Sequence, residues 1–191
     1  MRTTFCTTAV LLTTIALPAT AQANHSQGHG AVAASGEAAL IANALSAAPA
    51  SVAATASVVG HDGRMLKKGT SDWVCMPDMP NVPNDTPMCL DATWRAFMDA
   101  WVNKKSPSVT QMAFGYMLQG DMPVSNTDPF AQAPTSSNQW IPNGAPHVMI
   151  LIPDARVLEA IPTDPTSGGP FVMWKGTPYA HVMVPVSKRD R

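Results

Sequence analysis

Four prolines stand between two cysteines in "CMPDMPNVPNDTPMC", Cys75 to Cys89, and this segment limits the fold more than any other. Proline fixes its own backbone angle and lacks an amide donor, so the stretch can be neither a helix nor a central strand. The chain has three cysteines, and the first, Cys6, lies in an N-terminal leader described below. An even pair left in an exported chain is most simply a disulfide, which would clamp the proline loop. In the chain-entropy model a loop of this length gains about 3 kcal/mol from the bridge. Thiolate ligation or a redox couple is the rival, but the C-x-x-C spacing of such couples is absent. Eighteen prolines and twelve glycines, with eleven of the thirteen acids being Asp, describe a chain rich in turns and caps.

The leader "MRTTFCTTAVLLTTIALPATAQA" has one cation, Arg2, then an apolar stretch from Ala9 to Leu17, then Pro18 and small residues. That is the order of a secretory signal with an A-x-A site at Ala19 to Ala21, cut after Ala21 or, alternatively, after Ala23. Its apolar stretch is well short of the roughly 20 residues a spanning helix needs, and no later segment qualifies as transmembrane. The expected organisation is a signal peptide over 1–21, a flexible linker over 22–36, a single domain over 37–187 and a tail over 188–191. The protein is expected to be secreted, with the periplasm as its compartment. His25 and His29 in the linker are spaced as weak metal ligands on a segment that offers them no preorganisation. Without Arg2, eleven cations face thirteen acids, and no basic face suits nucleic acid.

Within the domain, Leu40, Ile41, Ala44, Leu45 and Ala48 recur at helical spacing, and Pro49 ends the pattern. From Val52 a loose alternation predicts a strand turning at Asp62-Gly63 into "RMLKKG". "TSDWVCMP" is a further extended segment. "LDATWRAFMDAWVNKK" is the best helix: Asp91 is placed to cap it, Trp94, Phe97, Met98 and Trp101 form a stripe, and Lys104 and Lys105 sit at its C-terminal end. "SVTQMAFGYMLQG" predicts a strand. A proline-rich connection of some 26 residues follows, a length that marks a functional or disordered loop. Then come "HVMILIP" as a buried strand, "DARVLEAIP" as a helix capped by Asp154, and "FVMWKG" and "YAHVMVPV" as strands joined at "GTPY". The fold class is α+β, a single domain with an antiparallel or mixed sheet and helices packed on one face.

"PHVMILIP" and "YAHVMVPV" each place a methionine two residues after a histidine. Residues two apart share a strand face, so His147 and Met149 belong together, as do His181 and Met183. Two matched strands would bring two imidazoles and two thioethers into one donor set, which suits copper, above all Cu(I). The same spacing describes two buried strands with methionine as core filler. Histidine also titrates near neutrality. His147 and His181 are therefore candidate acid/base groups for a hydrolase- or isomerase-like enzyme, partnered by Asp128 or by Asp72, Asp78 or Asp91. Trp140, Trp174 and Tyr179 would supply ligand-binding walls. No nucleophile elbow, zinc-protease motif or phosphate-binding glycine loop is present. "SNTDP" around Asp128 has the composition of a turn.

The runs "DWVCMPDMP", "TPMCLD", "SNTDP", "PHVMI" and "GTPYAHVMVP" resemble a group of small exported bacterial proteins with no assigned activity, over about Val52 to Val186. The resemblance implies a shared domain and no chemistry. The His-x-Met elements are similar to those of periplasmic copper carriers, whose dense methionine-rich loop this chain lacks, and no ligand is carried over. Three functions stay open: binding of a small molecule or metal ion around His147 and His181, an enzyme using those histidines with an Asp, and a structural envelope protein.

Overall fold

In the computed structural model, which describes residues 36–186, the backbone turns at Gly36 into helix α1, Glu37–Leu45. The segments expected as signal peptide, as linker up to Ser35 with its two histidines, and as tail lie outside the described residues. Helix α2, Ala50–Ala53, starts behind Pro49, where an extended segment was expected from Val52. The residues there are mostly alanines, which satisfy either period and prefer the helix. The strand survives only as β1, Ser57–Val59, and the turn at Asp62-Gly63 returns it as β2, Met65–Lys67.

Strands β3, Val74–Met76, and β4, Met88–Leu90, are the two arms of the proline loop, with Cys75 directly opposite Cys89 and bridged to it. The loop is also tied from within by Asp78, whose carboxylate accepts from Asn43 Nδ2 and from the Thr86 amide, both at 2.6 Å. Helix α3, Ala92–Val102, follows β4 at once. Asp91 caps it by accepting from the Trp94 amide at 2.8 Å, and its second oxygen accepts from the Phe114 amide at 2.6 Å. One carboxylate thus starts the helix and pins it to the next strand. Asp91→Ala should cost about 1–2 kcal/mol, more than an isolated cap, because two amides lose their partner; Asp91→Asn, which keeps one acceptor, should recover part of that loss in thermal denaturation.

The remaining elements are β5 (Ala113–Met117), β6 (Val124–Ser125), β7 (Trp140–Ile141), β8 (His147–Leu151), β9 (Phe171–Met173) and β10 (His181–Pro185). The main sheet has eight strands in the order β2-β1-β3-β4-β5-β8-β10-β9. It is mixed: β1 runs parallel to β3, and the other pairings are antiparallel. This is an α+β fold, and the described residues fall in one compact unit.

The helices divide between the two faces instead of sharing one. Helix α1 packs over Val58, Cys75, Cys89 and Tyr116, while α3 packs over Leu90, Ala113, Met149 and Met183. Neighbouring residues Cys89 and Leu90 are both fully buried for that reason. A strand of three apolar residues is too short to show from its sequence that both its sides are covered. The segment expected as a helix behind Asp154 is a 3-10 helix, Ala155–Ala160, which Asp154 caps by accepting from the Arg156 amide and whose Leu158 packs on Val172 and Val182.

The long connection after β5 is neither loose nor featureless. Its two ends pair as the β6–β7 ribbon, and Asn126 fastens it, accepting from the Trp174 amide at 2.8 Å and donating through Nδ2 to Gln139 Oε1 at 2.6 Å and Thr163 O at 2.8 Å. The Trp174 and Trp101 indoles add bonds to Ser125 O and Pro129 O. Buried polar groups, which composition reads as loop, here hold the segment against the sheet.

Candidate functional site

His147 and His181 share the face that α3 and the ribbon cover, since His147 lies opposite Met117 and Pro185, and Met183 lies opposite Met149. They are not neighbours. Pro185, which faces His147, is four residues from His181, an offset of roughly 14 Å along the strands at ~3.4 Å per residue. The row Met149–Met183 lies between them. The expected four-donor set is therefore spread over three rows of the sheet, and the described residues include no group of three or more His, Cys, Asp or Glu placed to hold a metal ion.

The two imidazoles do different things. His181 is packed in aromatic rings: Trp174 at 5.0 Å and Trp94 at 5.3 Å between centroids, both edge-on, with Phe97 at 6.2 Å. Its Nδ1 donates to Tyr179 O at 2.9 Å. Burial among those rings pushes its pKa down to about 4, against the smaller opposing effect of that hydrogen bond and with a still smaller lowering by the charge of His147. It is a neutral core residue. Trp174 and Tyr179, expected as ligand walls, are buried in the same cluster. Half-buried Trp140 belongs to the ribbon and does not line the cleft described next.

His147 opens onto a cleft. Its Nδ1 lies 2.7 Å from Ala145 O. A carbonyl only accepts, so Nδ1 carries the proton and Nε2 presents a lone pair. Desolvation lowers its pKa, opposed by the same bond, so the ring is neutral. Nε2 is buried and has no partner among the described residues. Buried polar atoms are almost always paired, and one without a partner calls for an explanation. The cleft that His147 helps to line measures about 270 Å³, between the β6–β7 ribbon and the β8-β10-β9 end of the sheet, and is walled also by Val124, Ile141, Phe171, Met173 and Met183.

Asp121 is the other titratable group on its lining. Its amide donates to Gly144 O at 3.1 Å, closing the base of the ribbon. A side chain on Gly144 would collide with Asp121, so glycine there is what allows the approach. One Asp121 oxygen accepts from the Met122 amide at 2.7 Å, and no ion pair engages the carboxyl among the described residues. The residue keeps some exposed surface, but its carboxyl is desolvated, and that raises its pKa to about 6, against the opposing bond from Met122. The charge sits on the carboxyl, so the carboxyl's own surroundings set this shift.

The acids named from sequence lie elsewhere. Asp128 accepts from the Phe130 amide at 2.9 Å in an exposed turn, and Asp91 is the helix cap. Neither these nor Asp72 and Asp78 line the cleft, and nor does His181. Sequence reasoning missed Asp121, whose setting "QGDMP" reads as an ordinary turn; its one local signal is an acid between glycine and proline. The arrangement can accept hydrogen bonds from a small molecule or offer a nitrogen lone pair to a soft metal. No protein-family model, curated protein or solved structure matches the chain.

Proposed function

We propose that the protein is an exported binding protein whose site is the cleft at His147. The carrying observation is that His147, whose buried Nε2 has no partner among the described residues, lies on the lining of a cleft of about 270 Å³, slightly smaller than typical drug-sized pockets and suited to a small ligand. The leader supports export and the bridged Cys75–Cys89 pair is compatible with it; a periplasmic product would begin at Gln22. The test is imidazole nitrogen NMR of the mature chain while small polar-headed fragments are added. A bound fragment should shift His147 Nε2, and His147→Phe should remove the response while the fold persists. Silence at Nε2 toward every fragment, and toward Cu(I), would overturn the site.

A soft metal ion is the second reading, and register favours it. Met117 lies directly across from His147, Met149 is two residues along the same strand, and Met183 is its diagonal neighbour on β10, within reach of long side chains. One imidazole ringed by thioethers suits Cu(I). Stoichiometric Cu(I) binding lost in His147→Ala and kept in His181→Ala would support this reading; equal loss in both, or none in either, would remove it.

A further inference from the structure

We infer that the ligand of the His147 cleft is a small primary ammonium with a short apolar chain, held by the Asp121 carboxylate and by His147 Nε2. This inference rests on the small-molecule reading above and adds a charge and a shape to it. Asp121 and His147 are the two titratable groups on the lining, and among the described residues no Lys or Arg lines the cleft. One Asp121 oxygen is committed to the Met122 amide; among the described residues no cation stands beside the carboxylate to compensate its charge. Nε2 is fixed as an acceptor by the Nδ1 bond to Ala145 O. An ammonium group carries several donors and one positive charge, which is what two acceptors and an unbalanced carboxylate lack. Besides the neutral polar residues Asn143 and Thr166, the rest of the wall is largely apolar, notably Phe171, Met173 and Met183, and an aromatic ring near a cation adds further attraction. The cleft's 270 Å³ holds roughly nine groups the size of a water molecule. That limits the ligand to a short alkyl or single-ring amine.

The proposal fits the electrostatics of the neighbouring groups. Asp164, next to the Pro165–Thr166 wall, is held below the usual carboxylate range by the Thr166 hydroxyl and amide, so it stays ionised and adds negative potential. The raised pKa of Asp121 is the signature of a carboxylate missing its cation, and a bound ammonium would return it downward. Binding near pH 6 therefore releases protons, and acid weakens it.

The test is an isosteric series, n-hexylamine, 1-hexanol and hexanoate, titrated calorimetrically into the mature protein at pH 7.5 and pH 5. Hexylammonium should bind roughly tenfold or more tighter than hexanol at pH 7.5, weaken at pH 5, and release protons at pH 6 in buffers of different ionisation enthalpy. Asp121→Asn should lose that preference while still taking hexanol, and Asp128→Asn, which removes a carboxylate outside the cleft, should bind as the wild type does. If hexanol or hexanoate binds as tightly as hexylammonium, or Asp121→Asn changes nothing, the ammonium assignment is overturned while the cleft stands. If none of the three binds and His147 Nε2 responds to no other fragment, the cleft reading itself fails.

Discussion

At pH 8 the Asp121→Asn variant should be more stable than the wild type by up to about 3 kcal/mol, or roughly 6–12 °C in Tm for a domain of this size. The carboxyl titrates at about 6 in the folded protein against an ordinary 3.8, because it is desolvated without a cation. A raised carboxyl pKa means that the folded state holds its proton more tightly than the unfolded chain does. Its favourable contribution is complete below pH 3.8 and disappears as pH rises through 6; above that, folding must keep an uncompensated carboxylate out of water. The amide keeps the bond from the Met122 amide and carries no charge. Melting curves between pH 4 and 8 should show variant and wild type converging at the acid end and separating through pH 6. A difference independent of pH would mean that packing, not ionisation, sets it.

The wild type should hide this effect. His181 moves the other way, from 6.5 in the unfolded chain to about 4 in its aromatic setting, so its contribution is complete above pH 6.5 and is lost as pH falls toward 4. Between pH 4 and 6 the two groups oppose each other, and His147, also lowered by burial, adds to the side of His181. Removing Asp121 should therefore unmask a steep acid loss. A gain in stability at neutral pH on replacing Asp121 by its amide would fit the proposal that Asp121 binds a ligand.

Much of the frame was legible because it is local. "LDATWRAFMDAWV" contains its cap and its stripe, and "HVMILIP" contains enough apolar β-branched residues to specify a strand. The proline loop announces its bridge. Legibility stops where a property depends on two distant segments. That His147 and His181 share a face, and that they are offset by four residues along it, both come from the β8–β10 register, which neither strand encodes alone. The aromatic residues were visible as a set, yet only packing decides that Trp94, Trp174 and Phe97 surround His181 and leave Phe171 to the cleft. Asp121 is the sharpest case. Its chemistry arises when Gly144, over twenty residues away, lets the ribbon close against it, and no window of sequence contains both.

Opening the Cys75–Cys89 bridge should lower stability by about 3 kcal/mol, roughly 6–12 °C, without disturbing the cleft. The cysteines are fourteen residues apart and directly opposed on adjacent strands, so in the chain-entropy model the bridge mainly restricts the unfolded chain. The folded loop keeps other fastenings: Asp78 holds Asn43 and Thr86, the Asp78 amide donates to Asn43 Oδ1, and the Met79 amide to Thr86 Oγ1, each at 2.8 Å. Both sulfurs face α1, on the side of the sheet away from His147 and toward its other end. A Cys75→Ala/Cys89→Ala double variant should therefore melt early yet keep its near-ultraviolet spectrum and its fragment response at His147 when cold. An unchanged Tm would show that unfolded-state restriction is worth little here. Loss of the His147 response at low temperature would show instead that the two halves of the sheet depend on each other in the folded state, with β4 and β5 as the connection between bridge and cleft.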